Sequence, residues 1–259
     1  MRKLSNDASV ETLSLVIPLY NEAENLPILQ DQIEQALEGY DYAVIFVDDG
    51  STDSSAKSIR HTARTEIIRF ESNAGQSAAM VAGMQKAKGD IIIFLDADLQ
   101  NDPADIPLLV EEIQKGADLV CGYRKYRQDT FVKRLTGKIA NTFRRALTGD
   151  EIRDSGCTLK AMRKSCRHAL PLFRGMHRFI PALIKAHGYR IAEISVNHRP
   201  RKFGKSKYGL YNRAFHVITD LFGVFWLTSR RLDYKIISDA TYAPVVEACD
   251  PKNNASIRP

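Results

Sequence analysis

Cysteine is scarce in this 259-residue chain: Cys121, Cys157, Cys166 and Cys249 lie 36, 9 and 83 residues apart. No CxxC pair exists, and the six histidines form no ligand spacing with the thiols. A disulfide framework and a structural zinc site are thereby excluded. Long apolar runs are missing too. No stretch approaches the ~18–20 residues that span a bilayer, and the richest late one, Phe222 to Leu227, is far shorter. Met1 to Glu11 is polar and lacks the apolar segment of a signal peptide. These absences predict a cytoplasmic protein with neither leader nor transmembrane span. No linker rich in Gly, Pro or Ser divides the chain and no internal repeat is visible, so one domain is expected over 1–235. Residues 236–259 read as a C-terminal tail, polar and aperiodic from Tyr242.

Charge of one sign is short in each half. The net charge of +6 averages two opposed regions: residues 1–119 carry 9 basic and 21 acidic side chains, and residues 120–235 carry 26 and 7. The last 24 residues carry 2 and 3. Such asymmetry predicts a front half that handles cations and a back half that meets anions.

What is present has a clear period. Short apolar or β-branched runs at Leu13–Leu19, Ala43–Val47, Glu66–Phe70, Ile91–Leu95 and Asp118–Gly122 alternate with amphipathic stretches. The latter fall near Ala23–Leu37, Ser54–Ala63, Gln76–Ala87 and Pro103–Lys115. This alternation predicts an α/β fold, a mixed, mostly parallel sheet with helices on both faces. Beyond residue 120 the pattern turns helical and basic, with one further strand predicted at Arg190–Val196. In open sheets of this kind ligands sit beyond the carboxyl ends of the strands. The residues just after each run therefore carry the functional signal.

Three polar clusters stand there. Asp96-Ala97-Asp98 follows the buried-strand run Ile91–Leu95; alternate residues on an extended segment point the same way, so both carboxylates can face one ligand. Two hard oxygen donors suit Mg²⁺ or Mn²⁺, which keep several waters and bind substrate phosphates. The bland alternative is a pair of solvated turn aspartates before the helix at Pro103. Asp48-Asp49-Gly50-Ser51-Thr52-Asp53 closes the second strand. Its later residues read as a turn and N-cap, but Asp48 and Asp49 repel one another unless a cation or hydrogen-bond donors, such as a base or ribose hydroxyls, offset them. Pro18-Leu19-Tyr20-Asn21-Glu22 ends the first strand.

Taken together, Leu15 to Glu22, Val47 to Asp53 and Asp96 to Gln100 resemble, in order and spacing, the family 2 glycosyltransferases. The resemblance extends through Asn73-Ala74-Gly75, Gly122-Tyr123-Arg124, Asp154-Ser155-Gly156-Cys157 and Arg201 to Lys207, and is similar to the polyprenyl-phosphate branch, the dolichyl-phosphate mannosyltransferase type. It implies a GT-A fold, a nucleotide diphosphate-sugar donor, a Mg²⁺ or Mn²⁺ cofactor and a polyprenyl phosphate acceptor. Carried over by position, Pro18, Tyr20, Asn21, Glu22, Asp48, Asp49, Asp96 and Ala97 would line the nucleotide-sugar pocket. Asp98 and Gln100, with Asp96 near the diphosphate, would hold the metal. Arg124, Arg134 and Arg201 would gather donor and acceptor phosphates, while Asn73 and Gly75 would shape a helix start.

Chemistry favours the phosphate acceptor on separate grounds. A sugar hydroxyl needs a general base; a phosphate monoester is already ionised and needs positioning and charge neutralisation. Arginines abound after residue 120 and carboxylates are few there. Guanidinium forks suit phosphate oxygens. The segment from His198 to Tyr208 is dense in basic side chains and reads as a lid that would bring Lys205, Ser206 and Lys207 to a diphosphate. Residues 210–232 predict a helix with a wide apolar face followed by Arg230 and Arg231. It would pack on the domain or on a second copy, making a homo-oligomer, and present its aromatic edge to a membrane surface as a peripheral contact. Two rivals remain: a family 2 transferase acting on a hydroxyl, with Asp154 as the candidate base, and a basic module binding RNA or anionic membrane. The second leaves the ordered acidic strand ends unexplained, so no nucleic-acid partner is expected. Met176-His177-Arg178-Phe179 is the nearest stretch to the QxxRW-like box of hydroxyl-directed or processive members.

Overall fold

A computed structural model describes residues 11–124, 144–145, 147–201 and 210–230. Seven strands form one sheet: β1 (Leu13–Leu19), β2 (Tyr42–Asp48), β3 (Thr65–Arg69), β4 (Ile91–Phe94), β5 (Leu119–Arg124), β6 (Lys160–Arg163) and β7 (Ile191–Val196). Their order is β3-β2-β1-β4-β6-β5-β7. Strands β1 to β4 run parallel, β6 lies antiparallel between β4 and β5, and β5 pairs parallel with β7. All seven residues of β1 are buried, which is what a central strand covered on both faces requires.

Helices α1 (Leu26–Ala36) and α4 (Ile106–Gln114) cover one face. There Leu29, Ile33, Leu109 and Ile113 pack with the odd-numbered side chains Leu13, Leu15 and Ile17 of β1. Helices α3 (Gln76–Lys86) and α5 (Ile180–Ala186) cover the other, where Met80, Met84, Ile180 and Leu183 meet Val16, Ile45 and Phe94. Gly83 makes the close seat of α3 possible: a Cβ there would lie 2.3 Å from Val16 Cγ1. The described residues through Ser229 belong to one compact unit.

Two elements differ from expectation. The helix predicted over Ser54–Ala63 is a single turn, α2 (Ser55–Ser58). The Gln30 side chain captures the next backbone groups, donating to the Arg60 carbonyl at 2.9 Å and accepting from the Arg60 N–H at 2.8 Å. Strand β6 was not foreseen. It is four residues long with a basic residue at each end, Lys160 and Arg163, so it shows neither the length nor the alternation that marks a strand.

The last helix, α6, spans Leu210–Ser229, and residues 231–232 of the predicted 210–232 lie outside the described residues. Leu221 and Val224 are buried against the α3/α5 side of the core, while Ile218, Phe222, Phe225, Trp226 and Leu227 are exposed. No helix among the described residues is long and apolar enough to cross a membrane.

Candidate active site

The order in which strands are added switches sides between β1 and β4, which pair in parallel: β2 and β3 lie beyond β1, and β6, β5 and β7 beyond β4. A cleft of about 600 Å³ opens at that switch point, beyond the carboxyl ends of β1, β2, β4 and β5. Pro18, Tyr20, Glu22, Asp49, Asp96, Ala97, Asp98, Gln100, Arg124 and Arg201 all line it. Ten residues predicted for the site are thus brought together. Arg134, Lys205, Ser206 and Lys207 lie outside the described residues.

Two predicted pocket residues, Asn21 and Asp48, are not among those that line it. Asn21, with a φ of 54°, ties the first loop to the second. Its amide Oδ1 accepts from the Thr52 N–H at 2.8 Å, and its own N–H donates to Ser51 Oγ at 2.9 Å. Asp48 is fully buried; Oδ1 accepts from the Ser51 N–H at 2.8 Å and Oδ2 lies 3.3 Å from Arg69 Nε. Asp49 does reach the cleft, and its carboxylate accepts from the N–H groups of Ala74 at 2.7 Å and Gly75 at 2.9 Å and from Asn73 Nδ2 at 2.9 Å. The adjacent acids are therefore held apart by hydrogen bonds at the start of α3 and by Arg69. Asn73 and Gly75 shape that helix start as expected.

The loop after β4 carries the acidic rim. The strand ends at Phe94, one residue short of the predicted Leu95, and Leu99 sits at a φ of 61°. That left-handed turn costs a leucine of order 1 kcal/mol; it stands between Asp98 and Gln100, both of which line the cleft. Asp96 accepts from Gln76 Nε2 at 3.0 Å and from Thr158 Oγ1 at 2.6 Å. Burial, and then the neighbouring Asp98 charge, push the Asp96 carboxyl up to about 6. Thr158, Lys160 and Arg124 act in the opposite sense.

This shift has a sign that can be checked. Between the ordinary carboxyl value of 3.8 and about 6 the folded protein binds more protons at Asp96 than the unfolded chain does, so stability falls as pH rises through that window. Asp96→Asn should therefore stabilise the metal-free protein at pH 7.5, by about 2–3 kcal/mol, and have little effect near pH 4. Urea unfolding at the two pH values measures this; equal effects at both would contradict it.

The basic side of the cleft comes from three segments. Arg124, at the end of β5, makes a bidentate pair with Asp154: Nε to Oδ2 at 2.6 Å and Nη2 to Oδ1 at 2.8 Å. Lys160, buried at the start of β6, donates to the carbonyls of Ser155 and Cys157. Arg201 arrives on the strap after β7. Asn197 donates to Asp105 from its N–H at 2.7 Å and its Nδ2 at 2.9 Å. Asn101 and His198 form an isolated bridge, the Arg199 N–H donates to the Gln100 carbonyl at 2.8 Å, and the Arg199 guanidinium holds Asp102. These contacts staple the strap to the loop after β4. They deliver Arg201 Nη2 to Asp98 Oδ2 at 2.8 Å and Nη1 to Glu22 Oε1 at 3.3 Å.

Sequence reasoning missed Gln76, Thr158 and Lys160, and it noted His177 and Arg178 only as the remnant of a box. All five line the cleft. His177 Nδ1 lies 2.8 Å from Ser77 Oγ, which joins α3 to the turn at Met176–Arg178. The available signal was position: Gln76 opens the helix that follows a strand end, and Thr158 and Lys160 flank the Asp154–Cys157 motif. Cys157 lines the cleft too, but burial raises its thiol pKa, so it is a poor nucleophile.

Among the described residues, no group of three His, Cys, Asp or Glu side chains is arranged to hold a metal. Asp96, Asp98 and the Gln100 carboxamide form an all-oxygen set along one rim. That chemistry fits Mg²⁺ or Mn²⁺, ions that take one or two carboxylates and complete their shell with water and substrate phosphates.

Known proteins resemble this chain in sequence and in fold. The model of the glycosyl transferase family 2 matches residues 14–169. The dodecaprenyl-phosphate galacturonate synthase of Rhizobium johnstonii is 40% identical over 225 residues, covering 83% of this chain and 66% of that protein. The undecaprenyl-phosphate 4-deoxy-4-formamido-L-arabinose transferase of Aeromonas hydrophila is 38% identical over 234 residues, 88% of this chain and 72% of that one. The chain thus spans about two thirds of the length of these curated relatives. Glucosyl-3-phosphoglycerate synthase of Mycobacterium tuberculosis, solved with Mg²⁺ and uridine diphosphate, superposes with a TM-score of 0.66 at 21% identity over 84% of this chain and 80% of that one. Its complex with Mn²⁺, uridine diphosphate and phosphoglyceric acid gives 0.65 at 20% identity, over 86% of this chain and 80% of that one. This likeness shows a common fold.

Proposed function

The chain belongs to glycosyl transferase family 2 and has a GT-A fold, and on that premise we propose that it moves a sugar, with inversion, from a nucleotide diphosphate-sugar to a polyprenyl phosphate. One observation carries the choice of acceptor: the acidic rim of Asp96 and Asp98 shares a single cleft with Arg124 and Arg201, while Asp154 is spent on Arg124. A hydroxyl acceptor needs a base, and a carboxylate in a bidentate guanidinium pair is a poor one. An ionised phosphate needs none.

In this reading Pro18, Tyr20, Glu22 and Asp49 flank the nucleotide. Asp98 and Gln100, with Asp96, would hold Mg²⁺ or Mn²⁺, which supplies Lewis-acid neutralisation of the diphosphate leaving group. Arg124 and Arg201, with Arg134 from outside the described residues, would orient the acceptor phosphate and offset its repulsion from the donor. A phosphate oxygen then bonds to the anomeric carbon as the bond from that carbon to the diphosphate breaks. Lys160, buried beside Asp96, adds a fixed positive charge at the cleft floor.

The names of the polyprenyl-phosphate relatives support this acceptor. The exposed Ile218, Phe222, Phe225 and Trp226 of α6, followed by Arg230, support peripheral contact with a membrane that carries it. Incubation with radiolabelled nucleotide diphosphate-sugars, Mn²⁺ and undecaprenyl phosphate in detergent should carry label into the organic phase. No transfer from any uridine or guanosine donor would contradict the proposal.

A further inference from the structure

Arg201 is assigned to an acceptor phosphate by the reading above, yet its guanidinium is already engaged. It bonds Asp98 through Nη2 at 2.8 Å and Glu22 through Nη1 at 3.3 Å. Both carboxylates are 8% exposed, too buried for water alone to solvate their charge. Glu22 has further help from Asn25 Nδ2 at 2.6 Å, and Asp98 from the Gln100 N–H at 3.1 Å. Arg201 adds a cation in contact with both.

The position is enforced. The staples from Asn197 to Asp105 and from the Arg199 N–H to the Gln100 carbonyl fix the strap two to four residues before Arg201, on the same loop that carries Asp98. The guanidinium therefore occupies the carboxylate oxygen that an all-oxygen divalent site would use. Two cations cannot both neutralise Asp98 Oδ2 at contact distance without strong mutual repulsion.

Resting on the transferase reading, we propose that Arg201 is an exchangeable counter-cation that sets the order of binding. In the metal-free protein it neutralises Asp98 and Glu22. It leaves Asp98 when a divalent cation and the donor diphosphate bind there, and the released fork then takes the acceptor phosphate. The acceptor site is thereby completed only after the donor is in place, and Arg201 has two successive partners. By reciprocity, each ligand raises the affinity for the other.

Two measurements test this. Mn²⁺ titration followed by electron paramagnetic resonance should show about tenfold tighter binding to Arg201→Gln than to the wild type, because Asp98 is no longer pre-neutralised. An ion pair with a purely structural role predicts unchanged or weaker Mn²⁺ binding in that variant, a result that would overturn the exchange. The wild type supplies a second reading that needs no variant. Farnesyl phosphate, a short acceptor analogue, should bind about tenfold tighter with Mn²⁺ and a nucleoside diphosphate present, UDP and GDP being run in parallel, than without them. If both ligands bind but independently, the exchange is wrong while the transferase reading stands; if neither binds at all, both fall.

Discussion

Asp98→Asn should lower kcat/KM for sugar transfer by at least about 10³-fold, the scale on which a loss of preorganised charge stabilisation acts. The substitution removes one negative charge and a hard oxygen donor from the cleft rim while keeping the shape of the side chain. An asparagine Oδ1 can still accept from the Gln100 N–H, as Asp98 Oδ1 does at 3.1 Å, so the left-handed turn at Leu99 survives. Arg201 keeps its bond to Glu22. The fold should accordingly hold, and circular dichroism should be unchanged. What is lost is specific: the carboxylate that would neutralise a cation on the departing diphosphate. Turnover measured with Mn²⁺ or Mg²⁺ decides the matter, and near-normal transfer by the variant would refute the role given to Asp98.

Arg124→Ala should reduce kcat/KM for the acceptor by about 10²–10³-fold. It should also destabilise the protein by about 3 kcal/mol, because Asp154 would be left buried without its guanidinium. The two effects have different origins and can be separated. In the double variant Arg124→Ala, Asp154→Asn the buried negative charge is gone, so urea unfolding should recover most of the lost stability. Catalysis should not recover, since the guanidinium that lines the cleft is still missing. Recovery of activity together with stability would show that Arg124 acts only by holding the loop at Asp154. If Asp154 were instead the general base of a hydroxyl-directed enzyme, Asp154→Asn alone would be as damaging as any substitution in the cleft. With a phosphate acceptor its cost should be smaller than that of Arg124→Ala.

Most of the first half of the fold was legible because its signals are local. Strands β1 and β4 are apolar runs ended by polar residues, and α1, α3 and α4 show an apolar stripe at helical spacing. What failed depended on distant partners. The helix at Ser54 stops after one turn because Gln30, from α1, binds the backbone of Arg60. Strand β6 is short and basic at both ends, and exists because the open edges of β4 and β5 pair with it on either side.

The site follows the same division. Asp96, Asp98, Glu22 and Arg124 stand at strand ends or within four residues beyond them, where position alone singles them out. Asp48 and Asn21 also stand there, but bond to the backbone of the Ser51–Thr52 turn and do not line the cleft. Which way a turn side chain points is decided by its hydrogen bonds to residues about 30 positions away or in the next turn, and those are invisible in a pattern of residue types. Lys160 went unnoticed for a related reason: its burial beside Asp96 follows from the antiparallel placement of β6. The contact of Arg201 with Asp98 spans 103 residues and depends on the staples of the strap that carries it.

The nucleophile is the central question, and the bond formed answers it most directly. After turnover with undecaprenyl phosphate and a competent nucleotide-sugar, ³¹P nuclear magnetic resonance of the extracted lipid should show the monoester signal replaced by a phosphodiester, with the sugar released by mild acid. A product whose phosphate monoester is untouched, with the sugar joined to a hydroxyl and stable to the same acid, would contradict transfer to phosphate.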